Sequence, residues 1–169
     1  MYRSTLYLAL VLGPLGLLGP ASSAVAGTTI YPGSMCVRWS ATEVVPRLSS
    51  GRIFNDSTTQ TMRVDCPILH QDFGGVFNND DLDDADVGVI DAHTTQDASC
   101  YLRSVYQSGS SLYSFSGGTR NTTGFGSNEQ NLDFNLVNGN SETWYYIGCL
   151  IPPRQNGQSS GITYYRAEE

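Results

Sequence analysis

Residues 143–151 read TWYYIGCLI, and this stretch decides the fold class. Tyr145, Ile147, Cys149 and Ile151 occupy every second position and alternate with Trp144, Tyr146, Gly148 and Leu150. A period of two places successive side chains on opposite faces of a β-strand. The stretch therefore predicts a strand with one face in the core.

The same alternation recurs along the chain, for example at 62–68 and 132–136, with Gly, Asn, Asp and Ser clusters between the runs. The best helix candidate is a short run around Ala41–Val45, which Pro46 limits. Eight or nine short strands without helices predict an all-β domain, an antiparallel β-sandwich of jelly-roll type. The predicted strands are Met35–Ser40, Arg52–Asn55, Gln60–Leu69, Ala85–Asp91, Ser99–Val105, Ser111–Phe115, Gln130–Val137, Thr143–Ile151 and Ile162–Arg166.

Residues 1–26 have the pattern of a cleaved secretory signal. Arg3 precedes an apolar run from Leu6 to Leu18, and Ser22-Ser23-Ala24-Val25-Ala26 supplies small residues for cleavage. The run is shorter than the roughly 20 residues that span a bilayer, which argues against a membrane anchor. We therefore expect a single β-sandwich domain at 27–169 in a secreted or periplasmic protein, and the leader is compatible with a bacterial source.

The charge balance excludes two classes of partner. The chain has nine Arg, no Lys and 16 acidic residues, so its net charge is −7, and −8 once Arg3 is removed. Nucleic acids and anionic membrane surfaces both require clustered basic residues. We expect no nucleic-acid partner and no membrane span after signal cleavage.

Four cysteines lie in the expected mature chain, namely Cys36, Cys66, Cys100 and Cys149. An even number in an exported chain is typical of disulfides, and four cysteines allow three pairings. We favour Cys36–Cys66 with Cys100–Cys149, because each bond then joins neighbours in the chain. No C-x₂-C pair is present, which argues against a zinc site.

The segment NNDDLDDAD at 78–86 concentrates five carboxylates and two amides. Calcium prefers such oxygen ligands, so Asp81, Asp83 and Asp86 are calcium candidates, although the spacing matches no known calcium loop. The alternative is a solvated acidic connection ahead of the next strand. We favour the acidic connection, so no cofactor is expected.

The two histidines offer little support for catalysis. His70 lies near Asp72 and His93 near Asp91, but residues two apart share a strand face without any function. The chain has no G-x-S-x-G elbow and no HExxH motif. We therefore predict that the protein is not an enzyme, and a secreted hydrolase is the least favoured hypothesis.

Aromatic strands are the more informative feature. Adjacent aromatic residues in a strand point to opposite faces, so one residue of each pair faces outward. Trp144, Tyr146 and Tyr165 are thus candidates for an exposed platform on which sugars or proteins stack. We favour the other interpretation, cross-strand aromatic pairing that stabilises the sheet.

Two further segments bear on assembly. In residues 108–128, 16 of 21 residues are Gly, Ser, Thr or Asn, which indicates a long surface loop around one weak strand. The last strand, Ile162–Arg166, is near the end of the chain and is expected at a sheet edge. An edge strand can pair with a strand of another copy, so self-assembly is one hypothesis.

The motifs YPGSMCVRW at 31–39, VDCPI at 64–68 and YIGCLIPP at 146–153 resemble small exported bacterial β-sandwich proteins of uncharacterised function. The architecture is loosely similar to pilus and spore-coat subunits, in which a Cys-Pro pair ends an early strand. The resemblance implies a fold and no activity.

These observations favour a non-enzymatic structural or interaction protein at the cell surface or outside the cell, with a protein or glycan as its partner. The alternative is a carbohydrate-binding module that uses Trp144, Tyr146 or Tyr165 and is stabilised by calcium.

Overall fold

A computed structural model of the chain describes residues 27–69, 82–135 and 143–168. These residues form eleven β-strands and one three-residue 3-10 turn at Gly33–Met35. Within these ranges no helix has the length and apolar character that a membrane span requires. The strands are β1 (Thr28–Pro32), β2 (Val37–Arg38), β3 (Arg47–Ser49), β4 (Arg52–Phe54), β5 (Met62–Ile68), β6 (Asp84–Ile90), β7 (Ser99–Ser108), β8 (Ser111–Asn121), β9 (Glu129–Phe134), β10 (Thr143–Ile151) and β11 (Gly161–Glu168).

The strands form two antiparallel sheets, which confirms the predicted β-sandwich class. One sheet has six strands in the order β3-β4-β11-β6-β9, with β1 also paired to β11. The other has five strands in the order β2-β5-β10-β7-β8. The pairs β1–β11 and β5–β10 join strands that are far apart in sequence. The core between the sheets therefore forms only when distant parts of the chain have paired.

Alternation along the strands builds the core between the sheets. In β5 the residues Met62, Val64, Cys66 and Ile68 are buried, and the residues between them are partly exposed. The run at 143–151 behaves in the same way, since Tyr145, Ile147, Cys149 and Ile151 are buried in the core. The period of two thus sets which face of each strand is buried.

Two tyrosines of the six-stranded sheet reach across the core. The rings of Tyr31 and Tyr165 are stacked, with centroids 4.8 Å apart. Tyr165 donates its hydroxyl to the carbonyl of Pro67 at 2.8 Å, and Tyr31 donates to the carbonyl of Leu69 at 2.9 Å. Each ring therefore fills the core and satisfies a backbone carbonyl of the five-stranded sheet.

Both disulfides have the predicted pairing. Cys36 is bonded to Cys66, and Cys100 is bonded to Cys149. Cys100 and Cys149 lie directly opposite each other on β7 and β10, with Cα atoms 4.1 Å apart. All four sulfurs are in the core, so the bonds connect the inner faces of the strands.

Two sequence predictions are wrong in detail. Residues 111–121 form the longest strand among the described residues rather than a loop with a weak strand, because Gly109 (φ 61) permits a two-residue hairpin turn after β7. The last strand is central, since β11 pairs with β6 on one side and with β1 and β4 on the other. The run around Ala41–Val45 forms turns and irregular backbone, in keeping with the predicted all-β domain.

Burial of Tyr165 makes stability depend on alkaline pH. Desolvation raises the pKa of its hydroxyl to about 12, and the neighbouring Tyr31 adds to this shift. The neutral phenol is therefore favoured in the folded state, and stability falls as the pH rises from about 10 to about 12. We expect a loss of about 2 to 3 kcal/mol over this window, measured by urea unfolding.

The variant Tyr165→Phe carries no phenol, so it should lose much less stability over the same window. Its cost at neutral pH should be about 1 kcal/mol, for the lost hydrogen bond. Tyr113→Phe, at an exposed tyrosine, is the matched control and should keep the wild-type pH profile. An unchanged alkaline profile in Tyr165→Phe would contradict the assignment.

Candidate functional site

The outer face of the five-stranded sheet carries exposed aromatic and aliphatic side chains; we refer to it as the aromatic face. Six of its large apolar side chains are exposed, and they come from β2, β8 and β10 and from the residues that directly follow β2 and β5. These are Val37, Trp39, Leu69, Leu112, Trp144 and Leu150.

Strand register gives the order of the rings on the aromatic face. Trp39 follows β2 and donates its backbone N–H to the carbonyl of Arg63, which is directly opposite Leu150. Trp144 and Leu150 are six residues apart in β10, which is a separation of roughly 20 Å along that strand. The side chains of the two tryptophans are 54% and 46% exposed. They therefore mark the two ends of one surface.

Arg63 fixes the end that contains Trp39. Its guanidinium lies over the Trp39 ring, 4.1 Å from the ring centroid, and donates to the hydroxyl of Tyr101 at 2.7 Å. The Arg103 guanidinium lies 5.5 Å from the Tyr101 ring centroid. Cation–π contacts of this kind hold the rings in place while one face of Trp39 remains open to solvent.

The middle of the aromatic face is formed by a tyrosine over a glycine. Tyr101 and Gly148 are directly opposite each other on β7 and β10, and a Cβ atom on Gly148 would overlap the Tyr101 ring. Tyr101 also meets Tyr146 edge to face, with centroids 6.3 Å apart. The missing side chain of Gly148 thus lets Tyr101 lie close to the sheet and connect the two ends of the face.

Asp65 lies on β5, directly opposite Gly148 of β10. Its Oδ1 atom is buried and has no hydrogen-bond partner among the described residues. Burial raises the pKa of this carboxyl, and Arg63 counteracts the shift in part. Because the Asp65 carboxyl is half-buried opposite Gly148, we expect it to support the aromatic face rather than to contact a ligand.

The predicted platform residues are only partly brought together. Trp144 and Tyr146 are two apart in β10 and share the aromatic face. Tyr165 does not join them, because its side chain is 0% exposed and stacks on Tyr31 in the core. The expectation that Tyr165 is exposed is therefore wrong; in the β11 pair Tyr164–Tyr165 it is Tyr164 that faces outward.

The outer face of the six-stranded sheet is acidic and differs from the aromatic face. Asp84, Asp86 and Asp133 lie on it. Burial raises the pKa of the Asp86 carboxyl, and the negative charges of Asp133 and Asp84 raise it further. The Asp86 carboxylate accepts a hydrogen bond from Arg166, which also pairs with Asp84 at 3.5 Å. Tyr164 also faces outward on this sheet and donates its hydroxyl to Asn131 at 3.2 Å, so this face combines a partly exposed ring with carboxylates.

The calcium candidates are not assembled into a site by the described residues. Asp81 is outside the described ranges. Asp83 is exposed just before β6, whereas Asp86 is buried and paired with Arg166. In residues 27–69, 82–135 and 143–168, no group of three or more His, Cys, Asp or Glu residues could hold a metal ion.

His93 stabilises the loop that follows β6. The Nδ1 atom of His93 accepts the backbone N–H groups of Thr95 and Gln96. The buried Asp91 carboxylate accepts the backbone N–H of His93 and that of Ala98, so it does not orient the imidazole. His70 lies outside the described residues. The Asp91–His93 spacing is thus a loop-stabilising arrangement, which removes the motivation for a general base at His93.

Sequence reasoning missed Trp39, Arg63, Tyr101 and Arg103. One signal could have found two of them: if the disulfide-bonded Cys36 and Cys100 face the core, alternation along the strand points Trp39 and Tyr101 outward. Alternation along a single strand does not predict that β10 pairs with both β5 and β7. This pairing brings the four side chains onto one sheet face.

The chain matches no protein-family profile and no curated protein sequence. Among solved structures it is similar to CBM86, a low-affinity xylan-binding module from the gut symbiont Roseburia intestinalis, with 10% identity and a TM-score of 0.49, over 83% of this chain and 94% of that chain. It is also similar to the CBM36-1 domain of a multidomain xylanase from the hindgut metagenome of Trinervitermes trinervoides, with 12% identity and a TM-score of 0.48, over 85% of this chain and 97% of that chain. These similarities leave the ligand of this chain unassigned.

The close approach of Tyr101 to Gly148 is testable by substitution. Gly148→Ala should destabilise the protein by about 1 to 3 kcal/mol, because the new methyl group displaces the ring. In a Tyr101→Ala background the same substitution should cost less, since the ring is gone. Chemical denaturation of the four proteins of this double-mutant cycle measures the coupling.

Leu150→Ala is the control for this cycle, because Leu150 is on the same strand and face but is exposed and does not lie under Tyr101. Its cost should not depend on residue 101. Equal costs of Gly148→Ala with and without the Tyr101 ring would show that the ring does not occupy the space above Gly148.

Proposed function

We propose that this protein is a non-catalytic carbohydrate-binding domain that holds a polysaccharide chain along the aromatic face. The observation that carries the proposal is the exposure of both tryptophans of the chain on this one sheet face. Sugar rings present apolar C–H faces that stack on flat aromatic rings. Two such rings, roughly 20 Å apart along one sheet face, suit an extended chain of several sugar units.

Polar groups between the rings support the same ligand class. Neighbouring positions of the face carry hydroxyl and guanidinium groups, and the Arg103 guanidinium donates to the Ser114 hydroxyl at 3.3 Å on β8. Thr119 and Ser116 are directly opposite Tyr101 and Arg103. Sugar hydroxyl groups require donors and acceptors close to a stacking surface, and this mixture supplies both.

The rings are held before any ligand arrives. Arg63 spans Trp39 and Tyr101, and Tyr101 in turn packs on Gly148 and Tyr146. A surface that is ordered in the free protein loses less conformational entropy on binding. This order favours a binding function for the face over a role in sheet stability alone.

The proposal includes an extracellular or periplasmic location and no catalysis. The two buried disulfides support an oxidising compartment. The hydrogen bonds of Asp91 and His93 are used within a loop, which supports a binding role over a hydrolytic one.

A second candidate is a protein partner on the same face, as in a structural or interaction protein of the cell surface. The exposed aliphatic side chains of Val37, Leu69, Leu112 and Leu150 favour it, because they add apolar area that sugars do not need. The resemblance to pilus and spore-coat subunits belongs to this candidate and stays a prediction.

Affinity electrophoresis of the purified, disulfide-bonded protein separates the two candidates. Gels containing one soluble polysaccharide each, with xylan, β-glucan, mannan and pectin in the panel, should retard the protein in at least one case. Retardation should persist in EDTA, because no metal site is proposed. Unchanged mobility in every polysaccharide would contradict the carbohydrate proposal and favour a protein partner.

A further inference from the structure

Strand β8 forms one edge of the five-stranded sheet. It pairs with β7 on one side, and no other strand of the described residues pairs with it. The hairpin begins at the pair Ser108–Ser111, and hydrogen-bonded and non-hydrogen-bonded pairs alternate from there. By this alternation the backbone groups of Leu112, Ser114 and Ser116 point away from β7.

This edge lacks the features that usually protect an edge strand. Residues 111–116 read SLYSFS, are all exposed, and contain no charge and no proline. The other edge strands differ: β2 and β3 have two and three residues, β1 has five and ends in Pro32, and β9 carries Glu129 and Asp133. A long, uncharged, exposed edge is a template for pairing with another strand.

The segment is complementary to itself. In an antiparallel pair of two copies centred on Ser114, each Tyr113 lies opposite Phe115 of the second copy. Within one chain these residues already form a stack, since the Tyr106 ring is 5.1 Å from Tyr113 and 5.8 Å from Phe115, with nearly parallel planes. Pairing in this register joins two such stacks into one, and the outward backbone groups form about six hydrogen bonds.

Charge favours a second copy at this edge. No acidic residue occurs between Asp97 and Glu129, although the chain as a whole has a net charge of −7. Two copies of an acidic protein repel each other over most of their surfaces, and β8 lies in the acid-free stretch where they can approach. The bend at Gly117–Gly118, where Gly118 has a φ of 94, limits the pairing to residues 111–116.

We propose that two copies of this chain form a symmetric dimer through antiparallel pairing of their β8 edges, giving a continuous ten-stranded sheet. The two-fold axis is perpendicular to the sheet at Ser114. Both aromatic faces then lie on the same side of that sheet. The dimer does not depend on the proposed carbohydrate function, but it would present two binding faces to one polysaccharide chain.

Sedimentation velocity over a concentration series, without any carbohydrate, tests the dimer. The wild type should change from monomer to dimer with concentration. Ser114→Lys places two charges against each other at the two-fold axis and should weaken dimerisation at least tenfold. Ser127→Lys, in the exposed loop before β9, makes the same charge change away from the edge and should stay within twofold of the wild type.

A wild type that remains monomeric up to about 1 mM would overturn the proposal, as would a dimer that Ser114→Lys leaves intact. Amide hydrogen exchange provides a measurement without substitution. The amides of Leu112, Ser114 and Ser116 should become protected as concentration rises, while those of Tyr113 and Phe115, bonded to β7, are protected throughout. Concentration-independent exchange at all of these amides would also contradict the proposal.

Discussion

Replacing Trp39 and Trp144 together by alanine is expected to lower the affinity for the polysaccharide that retards the wild type by about 100-fold. Each exposed indole should contribute about tenfold, which is within the range for aromatic residues that dominate a binding surface. The two rings lie roughly 20 Å apart along the sheet, so their effects should add. Isothermal titration calorimetry of the two single variants and the double variant measures this.

Phe125→Ala is the matched control for the tryptophan variants. Phe125 is an exposed aromatic residue in the loop between β8 and β9, away from the aromatic face. Its replacement should leave the affinity within twofold of the wild type. If Phe125→Ala weakened binding as much as Trp144→Ala, the ligand would not lie on the aromatic face.

Removal of the Cys100–Cys149 disulfide is expected to produce the largest loss of stability. The bond closes a loop with a sequence separation of 49 residues, and the chain-entropy relation gives about 4 kcal/mol for such a loop. The paired variant Cys100→Ala/Cys149→Ala also leaves a small cavity between the sheets. Urea unfolding monitored by tryptophan fluorescence measures the change.

The variant Cys36→Ala/Cys66→Ala provides the comparison, since its bond closes a shorter separation of 30 residues. Its loss should be similar but slightly smaller, at about 3.5 kcal/mol. A loss below about 1 kcal/mol in the Cys100–Cys149 variant would contradict the account, because the bond would then add little to a core that forms without it.

Most of the fold follows from short-range pattern. The strand at Thr143–Ile151 is predicted with its observed bounds, because its apolar residues alternate without interruption and Pro152 ends it. β1 and β3 are missed, since Thr28–Pro32 and Arg47–Ser49 expose most of their side chains and so carry little hydrophobic alternation. These strands form because β11 and β4 offer them free edges, which is information from the whole sheet.

β8 shows why composition is a weak guide to loops. Glycine and serine dominate residues 108–128, yet residues 111–121 pair along β7 in an almost continuous ladder. The strand needs little burial of its own, because the hairpin turn at Gly109 and the rings of Tyr106, Tyr113 and Phe115 hold it. The same features make it an open edge.

The candidate site could be predicted only in part. The Trp144–Tyr146 pair follows from alternation in one strand, but the choice between Tyr164 and Tyr165 depends on a register shift in β11 between Ile162 and Tyr164. The contacts of Arg63 with Trp39 and Tyr101 join three strands, and no local pattern contains them. Long-range register therefore decides which aromatic residues form the face.

Intrinsic tryptophan fluorescence tests the central claim most directly, because both tryptophans of the chain lie on the aromatic face. Titration with the polysaccharide that retards the protein in gels should shift the emission to shorter wavelength in a saturable way and protect the indoles from acrylamide quenching. Polysaccharide binding that leaves both the emission and the quenching unchanged would place the ligand elsewhere and contradict the account.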